Sequence, residues 1–166
     1  MKYVLAVLVE NKPGVLVRVA GLFARRGFNI ESLAVGKTVD PGISRMTIEV
    51  EADEKTLEQV IKQLNKLINV LKISNLSLEP SVNRELVMIK VKADATTRSE
   101  VQQIVETFRA KVVDVSLQSL IIEVTGNEEK LEAISLLFSH YGILESVRTG
   151  KIALLRGSKI TKNGEV

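Results

Sequence analysis

The chain has 166 residues, 45% apolar and 26% charged, with 10 Gly and only 3 Pro, a balance that excludes collagenous and disordered classes and suffices for one ordinary domain or two small ones. With no Cys and a single His, it has no route to disulfides, thiolate metal sites, iron–sulfur clusters or a cysteine nucleophile, and a serine triad would have to run through His140. The net charge is +3, with 11 basic and 9 acidic residues up to Pro80 and 12 and 11 after it. Such interspersed charge is a solvated surface, whereas a nucleic-acid face would need clustering, and no nucleic-acid partner is expected.

Tyr3 to Val9 is an apolar run cut off by Glu10-Asn11 without a small-residue cleavage site, so it reads as a strand and not a secretory signal. No apolar run approaches the ~18 residues that cross a bilayer. A cytoplasmic protein without membrane contact is the expectation. Asn11-Lys12-Pro13-Gly14 is a turn, and Val15, Leu16, Val19, Leu22 and Phe23 then recur at helical spacing up to a C-cap signal at Gly27, predicting a helix from about Pro13 to Arg26. Ile30–Val39 and Ile43–Glu51 flank Asp40-Pro41-Gly42, and Met46, Ile48 and Val50 alternate with Arg45, Thr47 and Glu49. That pattern is a β-hairpin with one buried face. Leu57, Val60, Ile61, Leu64 and Ile68 give a second helix begun near Asp53, and Val70–Leu78 reads as a closing strand.

The second half repeats this order with different residues. Glu85–Lys92 is a strand, Thr97-Arg98-Ser99-Glu100 has the form of a capping box, and Val101, Ile104, Val105 and Phe108 make a buried helical stripe. Val112–Val115 and Leu120–Thr125 are strands, Asn127 caps a helix carrying Leu131, Ile134, Leu137 and Phe138, and Ile143–Thr149 closes the unit. The fold class is α+β, with two ferredoxin-like βαββαβ domains in tandem: residues 1–78, a linker at 79–83, residues 84–157, and a basic C-terminal tail at 158–166. Around that tail Arg148, Lys151, Arg156, Lys159 and Lys162 face only Glu145 and Glu165, which reads first as solvated chain and second as a docking segment for an acidic partner. Both faces of the first strand are apolar, so both should be covered, by the sister domain or by a second copy; a homodimer is expected on this ground.

The fold alone decides no function. Five of the six aromatics lie on or just after helices, unlike the strand aromatics that stack bases in RNA-binding versions. Gly36-Lys37-Thr38 has the tail of a phosphate-binding loop but is followed by a hairpin turn instead of a helix. His140 sits at a helix end, and no pair of carboxylates lies in an apolar setting that would separate their pKa values. No catalytic constellation and no metal site emerge. The loop Glu10–Leu16 goes beyond what the fold needs: the amides of Gly14, Val15 and Leu16 open a helix, where aligned dipoles suit a carboxylate. Gly14 permits close approach and Asn11 offers both an amide oxygen and an amide nitrogen, a set that suits an α-amino acid; the plainer reading of the loop is that Asn11 and Pro13 only start the helix. The equivalent loop of the second half, Ala93–Thr97, lacks both Pro and Gly.

Glu10-Asn11-x-x-Gly14-Val15-Leu16-x-Arg18-Val19, then Gly21-Leu22-Phe23-x-x-Arg26-Gly27-Phe28-Asn29-Ile30-Glu31-Ser32-Leu33 and Ser44-Arg45-Met46-Thr47-Ile48, resemble an ACT domain of the acetolactate synthase (acetohydroxyacid synthase) small-subunit family. The resemblance continues through Arg84-Glu85-Leu86 and Phe108-Arg109-Ala110 over essentially the whole chain. It implies a regulatory subunit of branched-chain amino acid biosynthesis that makes no acetolactate itself. It would pair with a larger catalytic subunit, raise that subunit's activity and confer feedback inhibition by valine. Thiamine diphosphate, Mg²⁺ and FAD would reside on that partner. The resemblance further implies an effector site between two protomers, with Asn11, Gly14, Val15 and Leu16 of one completed by Asn29 and Ile30 of the other, and the valine side chain against Leu16, Ile30 and Val35. The alternative is a stand-alone ACT-type amino-acid sensor controlling another enzyme or transcription, against which no DNA-reading module is left over.

Overall fold

A computed structural model describes residues 1–161. The chain divides into two compact units, one formed by Met1–Val82 together with Lys151 onward and the other by Asn83–Gly150. In the first, β1 (Lys2–Glu10), α1 (Val15–Arg26), β2 (Ile30–Lys37), β3 (Ile43–Glu51), α2 (Glu54–Leu64) and β4 (Val70–Asn75) follow in order, and a 3-10 turn over Leu76–Leu78 takes the place of the end of the expected closing strand. The four strands are antiparallel in the order β2-β3-β1-β4. Tyr3, Leu5, Val7 and Val9 of β1 share a core with Val19, Leu22 and Phe23 of α1 and with Leu57, Val60 and Leu64 of α2. Period-2 strand residues thus meet two helical stripes on one sheet face. Gly27 ends α1 at φ 70°, its N–H donating to Ala24 and Phe23 carbonyls, and Asp53 caps α2 by accepting from the Thr56 N–H at 2.7 Å.

The second unit contains β5 (Ser81–Lys92, which begins in the first unit), α3 (Arg98–Thr107), β6 (Lys111–Val115), β7 (Ser119–Gly126), α4 (Glu128–Ser139) and β8 (Ile143–Arg148). Its sheet runs β6-β7-β5-β8, and Val87, Ile89 and Val91 pack with Val101, Val105, Leu131, Ile134 and Phe138. Asn127 caps α4 as expected, accepting from the Lys130 N–H at 3.1 Å. Thr97 does not form the expected capping box: its side chain makes no cap hydrogen bond. Asp94 takes over, its Oδ1 accepting from the N–H groups of Thr96 and Thr97 at 2.8 and 3.1 Å, while Glu100 accepts from the Tyr141 hydroxyl at 2.9 Å. A carboxylate three residues upstream is the stronger acceptor and wins the orphan amides.

The end of the chain departs most from expectation. Residues 151–157, expected in the second domain, and 158–161, expected as tail, return to the first unit. There β9 (Ile152–Leu155) pairs with β5, the Arg156 N–H donates to the Pro80 carbonyl at 2.9 Å, and Ala153 packs with Ala6 and Leu76. The second face of β1 is therefore covered at its centre by the chain's own segments, which removes the original ground for a second copy. Lys151 is buried against Glu49 and so is not solvated chain, whereas Lys159 is exposed as expected and pairs with Glu79 at the surface at 2.6 Å. Lys162 and Glu165 lie outside the described residues.

Candidate functional site

The loop after β1 is built as a turn and then a left-handed glycine. The Asn11 N–H donates to the Gly42 carbonyl at 2.8 Å and Asn11 Nδ2 to the Pro41 carbonyl at 2.9 Å, tying the loop to the β2–β3 turn. The Asn11 side-chain nitrogen thus has one hydrogen already committed. Gly14 has φ 83° at the N-cap of α1, and an added Cβ would meet nothing within 4 Å. No side chain caps α1, and its first turn carries no acidic residue, in contrast to the Asp53 and Asn127 caps. The first-turn amides of a helix have no intrahelical acceptor, so α1 offers its N-terminus to an anion from outside.

The other expected residues divide by role. Val15 sends its side chain into the core, 4% exposed, and its N–H reaches the Lys12 carbonyl at 3.4 Å. Leu16 is exposed beside it, and Val35, on the edge strand β2, is also exposed. Ile30 packs partly against the core, and Asn29 Nδ2 donates to Glu31 Oε1 at 2.5 Å. Ile30 pairs with Val50, which pairs with Tyr3, whereas Asn11 follows Glu10, the partner of Ile43. Seven strand positions at about 3.4 Å each separate the two levels, roughly 24 Å. Asn11, Gly14 and Leu16 are brought together at one end of the sheet; Asn29 and Ile30 are at the other end.

The sequence reading missed the brace on this loop. Arg18, one turn into α1, donates to Asn69 Oδ1 at 2.6 Å, and Asn69 Nδ2 donates to Glu10 Oε2 at 2.6 Å. Lys12 lies 3.2 Å from the other Glu10 oxygen. The Asn69 bond, then the Lys12 bond, hold the Glu10 carboxyl below its ordinary pKa. Arg18 was visible within the loop motif; Asn69, in a connection 59 residues beyond Glu10, carries no local signal. Among the described residues no cluster of His, Cys, Asp and Glu could hold a metal ion, and no helix is long and apolar enough to cross a membrane.

Comparison with known proteins agrees with this architecture. Residues 5–72 match the family model described as an AHAS small subunit-like ACT domain, so the first unit is an ACT domain. Residues 84–157 match the model for the small subunit of acetolactate synthase. The chain is 56% identical over 157 residues to an acetolactate synthase small subunit of Mycolicibacterium smegmatis, covering 95% of this chain and 92% of that one. Against the acetolactate synthase small subunit of Mycobacterium bovis it is 57% identical, covering 95% and 94%. The crystal structure of an acetolactate synthase small subunit from Thermotoga maritima superposes with a TM-score of 0.86 at 44% identity, covering 96% of this chain and 99% of that one. The chain belongs to the acetolactate synthase small-subunit family, regulatory subunits with an N-terminal ACT domain.

Proposed function

We propose that this chain is the non-catalytic partner of an acetolactate synthase catalytic subunit in branched-chain amino acid biosynthesis, that it raises that subunit's activity, and that it makes the complex sensitive to valine. Thiamine diphosphate, Mg²⁺ and FAD belong to the catalytic partner, and the complex works in the cytoplasm. Valine is held by its carboxylate at the uncapped N-terminus of α1, by its ammonium group at Asn11, and by its side chain against Leu16, Ile30 and Val35. The observation that carries this reading is the combination of an αL glycine and an absent side-chain cap at α1, which leaves anion-binding amides open at the loop that the motif marks. Because Asn11 and Asn29 stand at opposite ends of one sheet, a single site containing both needs two copies of the chain. This geometry, and not the apolar second face of β1, now supports a homodimer.

Regulation follows from linkage: if valine binds the free and the assembled subunit with different affinity, it shifts assembly by the same factor, a coupling of about 1 to 3 kcal/mol at ordinary size. Reconstitution tests it. Acetolactate formation by the catalytic subunit should rise on adding this chain and fall again with valine. No rise would contradict the partnership, and a rise without a valine effect would contradict the effector.

A further inference from the structure

The second face of the first sheet carries a polar stripe, and the chain's last described segment lies on it. Ser32, Glu49 and Val4 are paired neighbours across β2, β3 and β1, and Arg45 is opposite Leu8 on the same face. The Lys151 N–H donates to Ser32 Oγ at 2.8 Å, and Lys151 Nζ is 2.5 Å from Glu49 Oε1. Arg45 donates from Nη2 to the Ala153 carbonyl at 2.6 Å and from Nη1 to the Thr161 hydroxyl. Three residues of the two hairpin strands thus grip Lys151–Thr161 at both its ends. Between these points the contact is incomplete. A groove of about 620 Å³ remains between Leu8, Val39 and Ile43 on one side and Leu154, Leu155 and Ile160 on the other, while Ile152 and Leu154 are exposed. Release of the segment would have to break the pairing of β9 with β5 and the Ala153 contact with Ala6 and Leu76 as well as these polar grips, while the groove side adds no packing.

We propose that Lys151–Thr161 is a reversible strap whose engagement by Ser32, Arg45 and Glu49 holds the β2–β3 hairpin in its effector-binding shape, so that strap docking and effector binding are linked. The effector half of this statement rests on the valine reading above. Ser32 lies on β2 two positions after Ile30 and three before Val35, so the strap is fastened within the stretch of chain that carries those residues. Loss of the strap uncovers Glu49, now buried against Lys151, and unties Ser32 of the edge strand from the Lys151 N–H.

Hydrogen exchange of the full chain tests the strap. Arg45→Ala should speed exchange in 151–161 and in 30–37 together, at least about tenfold, while 119–126 keeps its wild-type rates. Lys151→Met should do the same, and Glu49→Leu with Lys151→Met should restore slow exchange in 30–37, which separates release of the strap from a failure to fold. A freed strap with wild-type rates in 30–37, or faster exchange throughout the chain, would overturn the coupling. Valine should slow exchange of 151–161 in the wild type; valine that slows 30–37 and leaves 151–161 unchanged would overturn the linkage. Absence of valine binding to the wild type, with the Arg45→Ala result as expected, would refute the effector reading and keep the strap.

Discussion

Lys151 Nζ and Glu49 Oε1 are 2.5 Å apart, with both side chains only 9% exposed. This is a buried ion pair between the residue that follows the second unit and the middle of a strand in the first. Removing one partner leaves an uncompensated charge, whereas replacing both by apolar groups of similar size does not. Lys151→Met should therefore lower stability by about 3 to 5 kcal/mol, and the double variant Glu49→Leu with Lys151→Met should recover most of it. Urea unfolding of the wild type and the variants measures this; a single variant as stable as the wild type would contradict the pair's burial.

Gly14 has φ 83° with open space where a Cβ would be. Gly14→Ala should cost about 1 to 2 kcal/mol through backbone conformation alone. Thermal unfolding reads the stability. A stabilised Gly14→Ala variant would show that α1 does not need the left-handed turn that leaves its amides open.

Asp53 and Asp94 have carboxyls held below the ordinary carboxylate range, chiefly by hydrogen bonds from Thr56 and Thr96 respectively. A carboxyl with a lowered folded-state pKa adds stability above its unfolded pKa, near 3.9, and loses it as pH falls through the folded value. Stability should thus decline in acid below about pH 4. The advantage of the wild type over Asp94→Ala should be full at pH 6 and shrink on acidification. Denaturant midpoints at descending pH test it, and a difference independent of pH would contradict the assigned bonds. Thr97→Ala should change stability far less than Asp94→Ala, because Thr97 makes no side-chain cap bond.

What could be read from the sequence followed from local rules. The alternation in β3, the apolar stripes of α1 and α2, and the caps at Gly27, Asp53 and Asn127 are each decided by residues a few positions apart. The misreadings have a common cause. Arg45, Thr47 and Glu49 alternate with core residues as a solvent-facing row would, yet Thr47 and Glu49 are buried, and Arg45 and Glu49 bond Ala153 and Lys151, more than 100 residues away. The same long-range return buries Lys151, which the sequence alone groups with solvated cations. The loop Asn11–Leu16 was legible because helix-end chemistry is local, whereas its brace through Asn69 and the sheet-length separation of Asn11 from Asn29 depend on strand pairing.

The central claim is that valine is bound by two copies of the chain together, and titration of mixed variants tests it most directly. Asn11→Ala and Asn29→Ala should each abolish valine binding alone. In a two-fold dimer, mixing them places both lesions in one site and leaves the other intact. After equilibration, about half of the dimers are mixed, so binding should return at about one site for every two dimers. Return of binding at that level is the predicted result; no binding in the mixture, with wild-type chain binding valine under the same conditions, would contradict a shared site.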